Sequence, residues 1–287
     1  MMNRIIAIAN QKGGVGKTTT TISLGVGLAK SGKRVCLIDL DPQGNTTQGL
    51  GYDPDSIDIT ITTIMDRIIH KDYKISSEYG VLHHREGVDL VPANIDLSEM
   101  EMKLISIYIG REKILGKYLE MMKPKYDYIL IDCKPSLDII TINALTAADS
   151  ILIPVQAQYY SARGLEQLLN TITRVVVEGY NPKLKVDGIL FTLANDRTCN
   201  FKQVSQIIRD AYGQSIHIYE SYIPRSVKAE EAPTAGISIY EYDRTGAVAE
   251  AYDRFTDEFL QAVLDKIQKY GAWRLCKIVL YFMKVSR

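Results

Sequence analysis

Lys12-Gly-Gly-Val-Gly-Lys-Thr-Thr19 lies between an apolar run, Ile5 to Ala9, and a helical pattern that begins at Thr18. A glycine-rich turn between a strand and a helix points successive backbone N–H groups into one concavity. That concavity, at the positive end of the helix, holds phosphate. In such a turn Lys17 reaches the β- and γ-phosphates of a nucleotide, and the Thr18 hydroxyl is placed to ligate Mg²⁺. Gly13, Gly14, Val15, Gly16 and Thr19 complete the cradle. The common pattern, G-x-x-x-x-G-K-[ST], requires a glycine where this chain has Gln11. The match is therefore to a variant with an extra lysine, Lys12, near its start. A chance glycine-rich turn would lack the strand before it and the helix after it, and both are present.

The 287 residues allow one large α/β domain or two small ones. Lysine plus arginine and aspartate plus glutamate number 34 each, so the total charge implies no polyelectrolyte partner, though local patches can still exist. Cys36, Cys133, Cys199 and Cys276 are scattered without C-x-x-C spacing. They read as reduced thiols of a cytosolic protein, neither a disulfide framework nor a zinc site. No signal-peptide pattern opens the chain, and no apolar run reaches the roughly 18 residues that a membrane span needs.

Strand-like and helix-like segments alternate along the chain, which predicts a doubly wound α/β fold, a mostly parallel sheet with helices on both faces. Strands are expected at Ile5–Ala9, Arg34–Asp39, Val88–Val91, Tyr128–Ile131, Ser150–Val155, Val186–Thr192 and Ile218–Ile223. Helices are expected at Thr18–Ser31, Thr62–Ile69, Leu97–Met122, Leu137–Ala147, Gly164–Val177, Phe201–Tyr212 and Gly246–Lys269. The order of Tyr52 to Gly87 is not legible beyond its one helix. With no Pro/Gly/Ser linker, low-complexity tract or repeat, residues 1–270 read as a single domain.

Three strand ends then converge on one edge, where ligands collect in such folds. The first carries the glycine loop. The second runs into Asp39-Leu-Asp-Pro-Gln-Gly44, where Asp41 could position an attacking water. The third, Tyr128-Ile-Leu-Ile-Asp132, ends in a carboxylate that could hold Mg²⁺ directly or through water.

These motifs, with T-I-N-A-L-T-A-A-D, I-P-V-Q, I-P-R-S-V and E-A-P further on, resemble the ParA/Soj branch of the ParA/MinD ATPases, the deviant Walker A family, from about Asn3 to Leu264. The resemblance implies a P-loop NTPase fold and a cytoplasmic, nucleoid-associated ATPase using ATP and Mg²⁺. It further implies a homodimer formed on ATP binding, non-specific DNA binding in plasmid or chromosome partition, and a ParB-like centromere-binding protein that stimulates hydrolysis. By the same resemblance Lys12 reaches the nucleotide of the partner subunit, while Lys17, Thr18 and Thr19 bind phosphates. Thr18, Asp41 and Asp132 form the expected Mg²⁺-side set, with Asp41 orienting water. Pro224 lies against adenine, and Arg197 and Lys228 match DNA-contacting positions.

The chain also departs from its relatives. The usual I-D-C-P-P-S-L-G is here Ile131-Asp-Cys-Lys-Pro-Ser-Leu-Asp138. Lys134 frees a segment that proline would stiffen, and Asp138 replaces a glycine that could supply an unusual backbone angle. An altered switch with changed hydrolysis or dimerisation is one expectation; a Lys134 that simply points to solvent is the plainer one. An iron–sulfur cluster would need cysteines supplied symmetrically by a dimer, and no convincing second ligand accompanies Cys133. Only Met1–Arg4 precede the first strand, so no operator-reading domain is expected. Residues 271–287, GAWRLCKIVLYFMKVSR, form a basic amphipathic extension without an acidic residue. Such a segment could bind an anionic membrane, as in a MinD-like positioning ATPase, or pack on its own domain as a plain extension.

Overall fold

A computed structural model describes residues 3–72, 74–158 and 161–265. The elements are β1 (Arg4–Ile8), α1 (Lys17–Lys30), β2 (Val35–Leu40), α2 (Asn45–Gly49), α3 (Ile61–Ile69), β3 (Leu82–His83), β4 (Val88–Val91), α4 (Leu97–Ser106) and α5 (Ile114–Met122). Then come β5 (Tyr128–Cys133), α6 (Ile139–Ala147), β6 (Ser150–Gln156), α7 (Ser161–Val177), β7 (Lys185–Ala194), α8 (Cys199–Tyr212), β8 (Ile218–Pro224), α9 (Val227–Glu231) and α10 (Ile239–Tyr242). A last helix, α11, covers residues 247–265. The strands form one eight-stranded sheet in the order β3-β4-β2-β5-β1-β6-β7-β8, parallel except for β3. This is the doubly wound fold that the alternation predicts.

Why the central strands read as continuous apolar runs follows from their surroundings. Helices cover both faces, so VCLIDL of β2 and YILIDC of β5 are buried at every position. Side chains alternate between two cores. Ile5 and Ala7 of β1, with Ile38 and Ile131, pack under α3 to α7, whereas Ile6 and Ile8, with Leu37 and Leu130, pack under α1, α10 and α11. Helix α1 lies close over β2. A Cβ on Gly25 would stand 2.6 Å from Leu37 Cδ2, so the glycine permits the approach.

Two stretches differ from the sequence reading. The helix expected over Leu97–Met122 is broken in two, because Ile107 turns extended and Gly110 takes a left-handed φ of 79°. The break leaves Tyr108 96% exposed and Ile109 82% exposed. Within the illegible Tyr52–Gly87 region the chain adds β3, a two-residue antiparallel edge strand. The last part of the final helix, up to Lys269, and the extension 271–287 lie outside the described residues. No described helix is long and apolar enough to cross a membrane.

Candidate active site

The site forms where β1, β2 and β5 end level with one another. In register, Ile8 of β1 stands opposite Asp132 of β5, and Asp132 opposite Asp39 of β2. The loop after β1 curls through Gly14 (φ 69°) and Gly16 (φ 78°), both left-handed, and Gly16 is the residue that caps α1. No side chain caps that helix, and its first turn holds no acidic residue. Its leading N–H groups therefore face the concavity without a protein acceptor from a capping side chain. A Cβ on Gly14 would meet nothing within 4 Å, so the cradle is open there. Val15 is buried and works from behind, its carbonyl accepting from Thr192 Oγ1 of β7 at 2.7 Å.

Around this loop lies a cleft of about 830 Å³. Its walls come from Gly13, Gly14, Gly16, Lys17, Thr18 and Thr19 on one side, Asp41 to Gln43 on a second, and Lys134 to Ser136 on a third. Lys17 is only 7% exposed, and among the described residues its Nζ reaches no carboxylate; its polar contact is the Lys12 carbonyl at 3.4 Å. Burial lowers the Lys17 pKa, opposed chiefly by the charge of Asp132. Thr18 Oγ1 and Thr46 Oγ1 both donate to Asp132 Oδ2 at 2.7 Å. The other oxygen, Oδ1, is buried without a partner. Burial pushes Asp132 up to about 6 against the pull of those two hydroxyls. Asp41 sits at the mouth, accepting from the Gln43 N–H at 3.0 Å.

A phosphate chain with a divalent cation complements this arrangement. Lys17 is a buried cation in want of an anion, and Asp132 Oδ1 is a buried acceptor in want of a donor or metal-bound water. Among the described residues no three His, Cys, Asp or Glu side chains converge into an all-protein metal cage. That matches Mg²⁺, which is commonly held through one or two carboxylates together with substrate phosphates. Cys133 is a buried free thiol.

Other expected site residues lie elsewhere. Lys12 is not among the residues that wall the cleft, its Nζ donating to Gln156 Oε1 at 3.3 Å at the end of β6 and to Gln158 Oε1 at 2.5 Å just after it. Pro224 ends β8 opposite Ala194 and does not itself wall the cleft; Leu193, Ala229 and Pro233 do so on that side. Arg197 is exposed before α8, and Lys228 Nζ is engaged by Asp243 at 2.8 Å. Two expectations about the segment after Asp132 need correction. Lys134 does not point to solvent, because its ammonium is held by Asp138 at 2.6 Å and Glu101 at 2.9 Å. Asp138 occupies ordinary extended backbone (φ −90°) and caps α6, accepting from the N–H groups of Ile140 and Thr141, so no glycine angle is required.

The sequence reading missed Asp39 as a partner of the site. Its Oδ2 accepts from Thr47 N–H (2.9 Å) and Thr47 Oγ1 (2.7 Å), and its Oδ1 from the Asp41 N–H (3.2 Å). Burial, then the nearby Asp132 charge, pushes its carboxyl up to about 7. The threonine pair in G-N-T-T was the available signal. Glu101 and Gln158 left no signal, and Gln156 stood only as the end of I-P-V-Q, since long-range pairing brings them to the site.

A mostly parallel sheet whose inner strand feeds a glycine loop at a helix N-terminus, flanked by strand-end carboxylates, defines a P-loop nucleotide-binding domain. Residues 3–186 match the family described as AAA domain. The chain is 44% identical over 253 residues to the sporulation initiation inhibitor protein Soj of Bacillus subtilis (strain 168), covering 88% of this chain and 96% of that protein. It is 42% identical over 255 residues to the chromosome partitioning protein ParA of Myxococcus xanthus, covering 88% and 86%. Among solved structures it resembles a Mycobacterium smegmatis protein described as cobyrinic acid a,c-diamide synthase, with bound ADP and magnesium. That likeness has a TM-score of 0.77 at 36% identity, over 90% of this chain and 94% of the other. The chain belongs to the ParA/Soj family of partitioning ATPases.

Proposed function

We propose that this chain binds ATP with Mg²⁺ in the cleft, dimerises in that state and hydrolyses ATP slowly. In the dimeric state it holds DNA without strong sequence preference, and a ParB-like partner stimulates hydrolysis and release. The observation that carries the reading is the buried Lys17, without a carboxylate partner among the described residues, beside an Asp132 with one unpartnered oxygen. Lys17 neutralises phosphate, Thr18 and Asp132 hold the metal side, and Asp41 orients water. Bound Mg²⁺ would supply charge neutralisation on the phosphates. Lys12 stands outside the lining of its own cleft, which supports its service to a partner's nucleotide. The ADP and magnesium in the Mycobacterium smegmatis structure support the ligand pair.

Arg197 is the better placed DNA contact, since Lys228 is engaged by Asp243. The deciding experiment compares DNA binding with ADP and with a slowly hydrolysed ATP analogue across salt. Analogue-dependent binding that weakens steeply with salt is expected, with the slope reduced by about one in Arg197→Ala. Binding that ignores nucleotide would sink the proposal. An anionic-liposome arm tests the MinD-like alternative, whose segment 271–287 lies outside the described residues. ATP turnover without any amide donor separates partition chemistry from that of a synthase.

A further inference from the structure

The wall of the cleft after Asp132 is held in two unequal ways. Within residues 134–141 it is self-contained. Ser136 Oγ donates to Asp138 Oδ2 at 2.6 Å, Thr141 Oγ1 donates to the Ser136 carbonyl at 2.7 Å, and Asp138 Oδ1 caps α6. Asp138 Oδ2 also takes the Lys134 ammonium at 2.6 Å. Among the described residues, one polar side-chain contact ties this wall to a different element. It is Lys134 Nζ to Glu101 Oε2 on α4, at 2.9 Å.

The link is not a loose surface pair. The Lys134 side chain is 12% exposed and that of Glu101 32% exposed. Lys134 also walls the cleft with Pro135, whose Cβ lies 3.9 Å from where a Cβ on Gly13 would stand. The wall thus faces the glycine loop directly, while Glu101 lies outside the cleft. A group outside the cleft lining that holds the wall acts on the site through position.

We propose that Glu101 is a positioning residue for the cleft, holding the wall segment 134–138 against the phosphate loop through Lys134. The proposal rests on the reading of this cleft as an ATPase site. Two carboxylates fix one ammonium, and losing either leaves a partly buried charge underpaired and the wall free to shift. Small displacements of a wall beside reacting phosphates act on turnover more than on ground-state binding.

The test uses the full chain with Glu101→Gln, Lys134→Met, the double variant and Lys134→Arg. Without nucleotide, amide hydrogen exchange in 134–141 is expected to quicken about tenfold in either single variant, with no further gain in the double. With ATP and Mg²⁺, Glu101→Gln and Lys134→Met are each expected to lower kcat about tenfold with KM within about twofold, whereas Lys134→Arg, which keeps the cation, retains most of the parent kcat. Unchanged exchange in Glu101→Gln, additive single effects, or faster exchange with unaltered kcat would each overturn the proposal. A raised KM in Lys134→Met with Glu101→Gln like the parent would make Lys134 a nucleotide ligand instead, which also overturns it. A parent that binds but does not hydrolyse ATP would defeat the ATPase reading, leaving exchange alone to decide the link.

Discussion

Asp39 and Asp132 stand directly opposite each other on β2 and β5, both fully buried, and each is bound by a different threonine of α2. Thr46 takes Asp132 and Thr47 takes Asp39, so the two carboxylates fix the short helix that follows the Asp41 loop. Asp39 also accepts the Asp41 N–H. The backbone of Asp41, at the start of the loop that walls the cleft, is therefore held by the carboxylate two residues before it.

Thr47→Val keeps the shape of the side chain but removes both the donor to Asp39 and the acceptor of the Ala93 N–H. The loss is expected to destabilise the fold by about 1–3 kcal/mol in urea denaturation, since a buried carboxylate and an amide lose partners. An unchanged midpoint would mean that water replaces the hydroxyl.

Lys17→Ala removes a buried cation that has no carboxylate partner among the described residues. The melting transition should stay near that of the parent, while affinity for a fluorescent ATP analogue falls roughly 10- to 100-fold, the loss of one charge-assisted contact. Retained affinity would place the phosphates elsewhere.

Asp41→Ala should leave analogue affinity nearly intact and slow single-turnover hydrolysis by about 10² to 10⁴. Hydrolysis at the parent rate would exclude Asp41 as the water-orienting group.

For Asp132→Asn the measurement is a Mg²⁺ titration of analogue binding. The half-saturating Mg²⁺ concentration is expected to rise about 10- to 100-fold, and chelation should abolish turnover in the parent. A variant with the parent's Mg²⁺ dependence would remove Asp132 from the metal side.

Lys12→Ala should bind nucleotide but remain monomeric with the slowly hydrolysed analogue in size exclusion with light scattering, where the parent becomes dimeric. A dimeric variant would show that Lys12 does not serve the second subunit.

Much of the site was legible along the chain because its parts are local. The glycine loop, Asp41 and Asp132 follow or end apolar strands, where burial on both faces leaves a continuous hydrophobic run ending in polar residues, and Lys17 and Thr18 open the helix directly after the loop. The break before Gly110 was not legible, since the apolar Ile107 and Ile109 mimic a continuing helix. Nor was the role of Asp138. A carboxylate that caps a helix looks in sequence like one that replaces a glycine.

What this amino-acid sequence determined by itself was the order of strands and helices, the phosphate cradle and the identity of its polar residues, because side-chain periodicity and turn chemistry act over a few neighbours. What only the tertiary structure decided was pairing across distance. It set Asp39 against Asp132 and closed the Lys134 ammonium between Asp138 and Glu101. It also turned Lys12 toward Gln156 and Gln158. Apart from the local Lys134–Asp138 pair, those contacts join residues dozens of positions apart, and strand register and helix packing, to which local sequence is blind, bring them within reach.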